Sequence, residues 1–380
     1  MSGELKSGSI HVVRVSHKTC WTFVRLQTED GRTGEGEATL LAREDELVSA
    51  GEALIPVALR EAGIGDPGSF ARQHVPASLP RAGIVSAIDQ ALWSLKVSGN
   101  GQSLAETLGV RREPVPVYAN INRRTEERTP KGFAASAKAA MSAGHVAFKV
   151  APFDEVDTTL CSRGEGVAAM QAGLERVAAV RDAVGSDSRL MIDCHWRFDE
   201  DTAAELIKAA AEMAVYWVET PLLEIEENIP ALTRLRRQCN DLGMRLAGLE
   251  TSVTWQGFRP FCEAGAYDVV MPDVKYIGGV DELLRTVDHC DALGMEISPH
   301  NPSGPVCHAM SLQVSAAVGA FDRLELQFDE SPLFDALAGS RQVEVSSGLL
   351  SLPAGPGLGV TLDTAVLLQH EDRPASEFKV

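Results

Sequence analysis

Apolar and polar positions take turns through residues 9–41, in the runs HVVRV and WTFVRL, the turn EDGRTG and the stretch EGEATL. This period of two predicts a hairpin and a small sheet. From residue 44 to 110 the spacing becomes helical. It is clearest in AGIVSAIDQALWSLKVSG, whose apolar positions recur three and four apart and whose Gly99 is placed to end the helix. An N-terminal α+β unit follows, closing near RREP at 111–114, so its expected span is 1–112.

Beyond it, short apolar runs alternate with helical segments. The runs end in PVYANIN near 120, HVAFK at 149, RLMID at 193, YWVE at 219, RLAGLE at 250, DVVMPD at 273, MEISPH at 300 and DRLELQ around 325. Most intervals are about 23 to 31 residues, room for one strand, one helix and two loops; an insertion near DTTLCSRGEG lengthens the one before Asp193. Eight such units predict an α/β fold, a TIM (β/α) barrel over 113–339. The tail from about 340 to 380, beginning VEVSSGLLSLPAGPGLGV, predicts strand and turn material returning to complete the N-terminal unit. The active sites of such barrels lie at the C-terminal ends of the strands. Lys149, Asp193, Glu219, Glu250, Asp273, His300 and Glu325 therefore read as one site assembled from separate loops.

Composition narrows the chemistry. At 380 residues and 44% apolar side chains the chain can bury a large core. Seven cysteines without CxxC pairs fit reduced thiols rather than a disulfide framework or a thiolate zinc site. A net charge of −18 with no basic block argues against nucleic-acid binding, and an anionic substrate would need local positive charge from the site. No stretch approaches the roughly 20 apolar residues of a membrane span. The start MSGELKSGSI lacks a signal pattern, so a cytoplasmic location is expected.

Asp193, Glu219 and Glu250 come from three successive strands, and three carboxylates buried together call for a cation. Oxygen-only ligands favour Mg²⁺ over zinc. The competing reading is three ordinary solvated loop acids. Asp273 and His300 end the next two strands and form a natural dyad, the carboxylate orienting an imidazole general base. A histidine bonded to its own turn-rich loop, SPHNPSGP, is the alternative.

Taken together, the eight units, the SAIDQALWSLK helix, the three acids, PDVKYIGG and SPHNPSGP resemble the enolase superfamily, mandelate racemase subgroup, over nearly the whole chain. The resemblance implies an N-terminal α+β capping domain on a modified TIM barrel, an essential Mg²⁺, self-association, and abstraction of the proton α to a carboxylate. A His base with Mg²⁺ is a known pattern of that superfamily. Glu325 matches its acid at the eighth strand, implying a contact with the substrate carboxylate; a surface acid is the alternative.

The family's second strand often ends in Lys-x-Lys, but here FKVAP matches only Lys149, with Ala151 in the second place. A racemase with a base on each face is therefore disfavoured. Lys149 is expected near the substrate carboxylate or as a barrel lysine reaching solvent. His195 lies two residues beyond Asp193, on the same side of an extended chain. DCH is similar to the Asp-x-His of galactonate dehydratase-like acid-sugar dehydratases, which implies that His195 protonates a leaving hydroxyl.

Asn122 and Arg197 join the candidate substrate contacts, with Asn120, Arg123, Lys275 and Trp196 behind them. The resemblance implies substrate-covering loops at 36–44 and, unusually short, around Ser16–Thr19. The activity these residues suggest is a Mg²⁺-dependent dehydratase of a small polyhydroxy acid. A racemase, epimerase or cycloisomerase of the same superfamily is the first alternative. A zinc metallohydrolase lacks its usual His-x-His at the first strand, where ANIN stands. A catalytically silent barrel is the third alternative.

Overall fold

A computed structural model describes residues 4–74, 78–339 and 343–380. The chain opens with β1 (Leu5–Arg14), β2 (Cys20–Thr28) and β3 (Thr33–Glu37), an antiparallel meander of three strands where the alternation suggested a hairpin. Four helices follow: α1 (Glu44–Glu61), α2 (Gly68–Gln73), α3 (Leu79–Asn100) and α4 (Leu104–Leu108). Helix α3 runs through Gly99 and stops at Gly101, whose φ of 70° is the left-handed conformation that a helix C-cap favours in glycine. Nearly every face of α3 is buried, because it lies between the small sheet and the barrel.

The barrel strands are β4 (Val115–Asn120), β5 (Ala147–Val150), β6 (Arg189–Asp193), β7 (Trp217–Glu219), β8 (Arg245–Gly248), β9 (Val269–Val270), β10 (Glu296–Ile297) and β11 (Leu324–Gln327). All pair in parallel, in the order β10-β9-β8-β7-β6-β5-β4-β11. A parallel bridge between Ile297 and Phe321 joins the two ends and closes the ring.

Between the strands run α5 (Pro130–Ser142), then α6 (Thr158–Ser162), α7 (Gly166–Ala169) and α8 (Gln171–Val184) in the long interval, α9 (Glu200–Glu212), α10 (Ile229–Asp241), α11 (Thr254–Glu263), α12 (Val280–Ala292) and α13 (Pro305–Ala317). Their starts follow capping chemistry. Thr129 and Asp199 accept the N–H groups of Gly132 and Thr202, and prolines open α5 and α13. The first helix after β11 is the short α14 (Leu333–Leu337).

The tail divides. β12 (Leu349–Leu350) pairs antiparallel with β4 of the barrel rather than with the N-terminal sheet. Helix α15 (Thr364–Gln369) then leads to β13 (Ser376–Lys379), which adds a fourth strand beside β1. No helix of the described residues is long and apolar enough to cross a membrane.

Candidate active site

The barrel is filled from below by Tyr118, Ala147, Met191, Trp217 and Ala247, one from each of five adjacent strands. Side chains along a strand alternate, so the residue two places on faces the same way. That step gives Asn120, Lys149, Asp193 and Glu219, the polar layer above an apolar floor. Trp217 ties the layers together, its indole N–H donating to Glu219 Oε2 at 3.1 Å. At Leu249 the alternation breaks. Its φ is 73°, its N–H donates to Glu224 Oε1 at 2.5 Å, and Glu250 takes the inward place.

Asp193, Glu219 and Glu250 each bring an oxygen within 4.8 Å of the others, and all three are buried. Glu250 Oε2 has no hydrogen-bond partner. Burial, then the charges of Asp193 and Glu219, push the Glu250 carboxyl well above the usual range. Glu219 is pushed up to about 8, again by burial first, with Lys149 opposing. At Asp193 burial acts upward too, but His195, Lys149 and the hydrogen bonds outweigh it and hold the group below its usual value. An unpartnered carboxylate oxygen buried beside two more acids is what a hard divalent cation satisfies, so the donor set fits such an ion.

Lys149 is fully buried in the same layer. Its Nζ lies 2.6 Å from Glu219 Oε1 and 3.1 Å from Glu325 Oε1, so it is an interior ion-pair partner of two acids and does not reach solvent. Glu325 lies inside β11 rather than at its end, and also accepts from Asn120 Nδ2 at 2.6 Å and the Asn301 N–H at 3.1 Å. These contacts, led by Lys149, overcome burial and hold it low.

Across the mouth, His300 Nδ1 meets Asp273 Oδ2 at 2.7 Å, and Lys275 Nζ meets the same oxygen at 2.7 Å. Lys275 also bonds Ser303 Oγ at 2.7 Å, which links the loops after β9 and β10. With Nδ1–H donating to Asp273, the bare Nε2 of His300 faces the carboxylates, 3.5 Å from Glu250 Oε2. Burial lowers the pKa of His300 and Asp273 opposes, which leaves a neutral imidazole able to accept a proton.

His195 reaches the site by a turn rather than by strand alternation. Strand β6 ends at Asp193 and His195 has φ 48°, its N–H on Asp193 Oδ1 at 3.0 Å and its Nε2 on Oδ2 at 2.8 Å. Its side chain is 41% exposed, against 12% for His300. The Asp193 charge, more than any other group, raises its pKa.

The side chains of Asn122 and Arg197 bond other groups, although the Asn122 N–H donates to Asn120 Oδ1 at 2.9 Å. Arg197 Nη1 donates to the carbonyls of Asp154 and Val156, and Asn122 Oδ1 accepts from Arg128. Arg123 pairs with Glu330 at 3.0 Å. Two groups had no sequence signal. Glu224, half-buried, gathers three segments by accepting from Leu249 N, Tyr267 Oη and Trp196 Nε1. Thr220 donates to Asp193 Oδ1 at 3.0 Å. Their partners are distant in sequence, so no local pattern marks them.

A capped barrel of eight parallel strands, with a carboxylate trio facing an imidazole at the C-terminal mouth, defines the class. The enolase C-terminal domain-like family matches residues 132–366, and the chain belongs to the enolase superfamily. It is 32% identical over 363 residues to the D-gluconate dehydratase of Thermoproteus tenax, covering 93% of this chain and 70% of that one. It is 25% identical to the D-galactonate dehydratase of Ralstonia pickettii strain 12J, covering 92% and 91%. A solved enolase superfamily member from Salmonella Typhimurium shares the fold with a TM-score of 0.83 at 22% identity, over 99% of this chain and all of that one.

Proposed function

We propose that the protein is a Mg²⁺-dependent dehydratase of a small polyhydroxy carboxylic acid, a carbon–oxygen lyase. The observation that carries this reading is the buried trio Asp193, Glu219 and Glu250, with the bare Nε2 of His300 3.5 Å from the unpartnered Glu250 oxygen. The trio would hold the ion, whose charge supplies electrostatic stabilisation of the anion that loss of an α proton creates. His300 Nε2 takes that proton; Asp273 fixes its tautomer, and Lys275 holds Asp273 in place. Lys149 and Glu325, with Asn120, set the floor against which the substrate carboxylate lies. His195, the exposed histidine of the pair, gives a proton to the departing β-hydroxyl, which leaves as water. The enol that remains tautomerises to a 2-keto-3-deoxy acid.

Ala151, where a second base would stand, is small and buried, which favours elimination over two-base racemisation or epimerisation. The two dehydratase relatives are named for acid sugars, and that substrate class is the one proposed here. The unit limits of 1–112 and 113–339, the completing tail and self-association belong to the same proposal.

Incubating a library of aldonic and aldaric acids with Mg²⁺ in D₂O tests it. His195→Asn retains α-deuterium exchange and loses elimination, whereas His300→Asn loses both. Undiminished dehydration by His195→Asn would remove its assigned role.

A further inference from the structure

Among the buried polar side chains of helix α3, three take no part in the proposed reaction and bond distant backbone: Ser86, Asp89 and Gln90. All three hold other parts of the chain by their backbone. Ser86 Oγ accepts the N–H of Gly278 at 3.0 Å, and Asp89 Oδ2 accepts that of Val280 at 2.8 Å. Val280 opens α12, so Asp89 satisfies a donor that the first helical turn leaves unpaired. The approach is close. A Cβ on Gly279, whose φ is 110°, would lie 2.9 Å from Asp89 Cγ.

Gln90 clasps Glu37 through both ends of its amide, accepting the Glu37 N–H at 3.1 Å and donating to its carbonyl at 3.0 Å. Glu37, fully buried, does for α13 what Asp89 does for α12. Its Oε1 accepts the Gly304 N–H at 2.7 Å and its Oε2 accepts that of Cys307 at 3.0 Å. Gly304 is again a position without room, since a Cβ there would meet the Trp21 ring at 2.8 Å and Glu37 Oε2 at 3.1 Å.

Helices α12 and α13 follow the two loops that carry the proposed base. Asp273 and Lys275 precede α12, and His300 and Ser303 precede α13. Between Lys275 and the start of α12, Tyr276 leaves the barrel, packs into the core of the N-terminal unit and donates its hydroxyl to the Thr39 carbonyl at 3.0 Å. The meeting of Asp273 with His300 therefore depends on where two helix starts sit, and each is held by a carboxylate from outside the barrel.

We propose that Asp89 and Glu37 are positioning residues for proton abstraction, fixing the loops 273–280 and 300–307 so that Asp273 and His300 meet. The inference rests on the proposed function, in which His300 is the base. A displacement of about 1 Å at a reacting group can lower a rate on the order of a hundredfold, which sets the scale.

The test compares Asp89→Ala with Asp89→Asn, which keeps an oxygen for the Val280 N–H. Both are measured on whichever library acid the metal-loaded enzyme turns over, in α-protio and α-deuterio forms. Asp89→Ala is expected to lower kcat roughly 10- to 100-fold with KM within about twofold, and to raise the primary isotope effect on kcat as proton abstraction becomes limiting. Asp89→Asn restores kcat to within about threefold of the parent. Amide hydrogen exchange adds a readout that needs no turnover. Residues 273–280 lose protection in Asp89→Ala, and 300–307 lose it in Glu37→Gln, which replaces one of two acceptors by a donor.

Should Asp89→Ala not fold, Ser86→Ala removes one acceptor from the same loop and shows the same signature at smaller size. A loss of activity that only tracks the folded fraction, with unchanged isotope effect and no rescue by Asn, overturns the proposal. If the parent turns over no acid sugar, the functional reading fails, yet the exchange experiment still decides whether the two carboxylates hold these loops; unchanged protection there overturns the inference by itself.

Discussion

Glu250 sits where an ionised carboxylate is least favoured: buried, beside Asp193 and Glu219, with Oε2 unpaired. In a chelator, Glu250→Gln is therefore expected to melt higher than the parent, because the buried carboxyl must take up a proton on folding, a cost that the neutral amide does not carry. Added Mg²⁺ reverses the order. An ion at a hundred times its dissociation constant adds about 2.7 kcal/mol to the parent, and the variant gains little. Calorimetry with and without chelator reads both effects, and an equal metal-induced shift in the two proteins would place the ion elsewhere. Asp89 makes an opposite pH statement from most acids. Burial raises its carboxyl to about 7, against 3.8 ordinarily. Between those values the native state keeps a proton that the unfolded chain has lost. Its contribution is full at acid pH and disappears as the pH rises through about 7, at roughly 1.4 kcal/mol for each pH step of one. Asp89→Asn lacks this term, so its stability relative to the parent should rise by about 2 to 3 kcal/mol from pH 5 to pH 8, as read by urea unfolding at the two values. A constant difference would mean that Asp89 is ionised throughout.

At the scale of single elements, the apolar runs marked the barrel strands well because each must be buried on both faces. The charged layer was legible for the same reason: Ala147 to Lys149, Met191 to Asp193 and Trp217 to Glu219 obey a period of two. Register was less legible. β9 and β10 hold only two residues each, so Asp273 and His300 stand three residues past their strands, on loops. Strict alternation would turn Leu249 inward, and only its positive φ, which a bulky residue seldom adopts, brings Glu250 to the metal-type site. At Arg197 and Asn122 the sequence is silent on local partners, because a polar residue beside a strand end does not show that backbone carbonyls or a neighbouring arginine bond it. The end of α3 is a smaller instance with a clear test. Gly99 lies within the helix and a Cβ there meets only the movable tip of Arg32, whereas Gly101 needs φ 70°. Gly99→Ala is expected to stabilise by up to about 1 kcal/mol and Gly101→Ala to destabilise by about 1 kcal/mol or more. Equal signs in urea unfolding would contradict the assigned stop.

For the molecule as a whole, the sheet that opens the chain is finished by its last strand, and the N-terminal unit reaches into the barrel through Glu37 and Asp89. The long-range field is set by a net charge of −18. The site's two lysines do not offset that field for an arriving anion, because Lys149 and Lys275 are buried and each is paired with carboxylates. A carboxylate substrate is thus depleted near the surface at low salt, whatever step limits turnover. The screening length falls from about 30 Å at about 0.01 M salt to about 8 Å at about 0.15 M. With the metal site kept saturated at both, so that weaker ion binding does not enter, kcat/KM for an acid sugar should rise about twofold or more across this range while kcat holds steady. A fall in kcat/KM would mean instead that positive charge at the mouth, including the bound ion, outweighs the surface and draws the substrate in. The sign of the salt effect therefore separates a site that is fed against the molecule's field from one that reshapes that field locally.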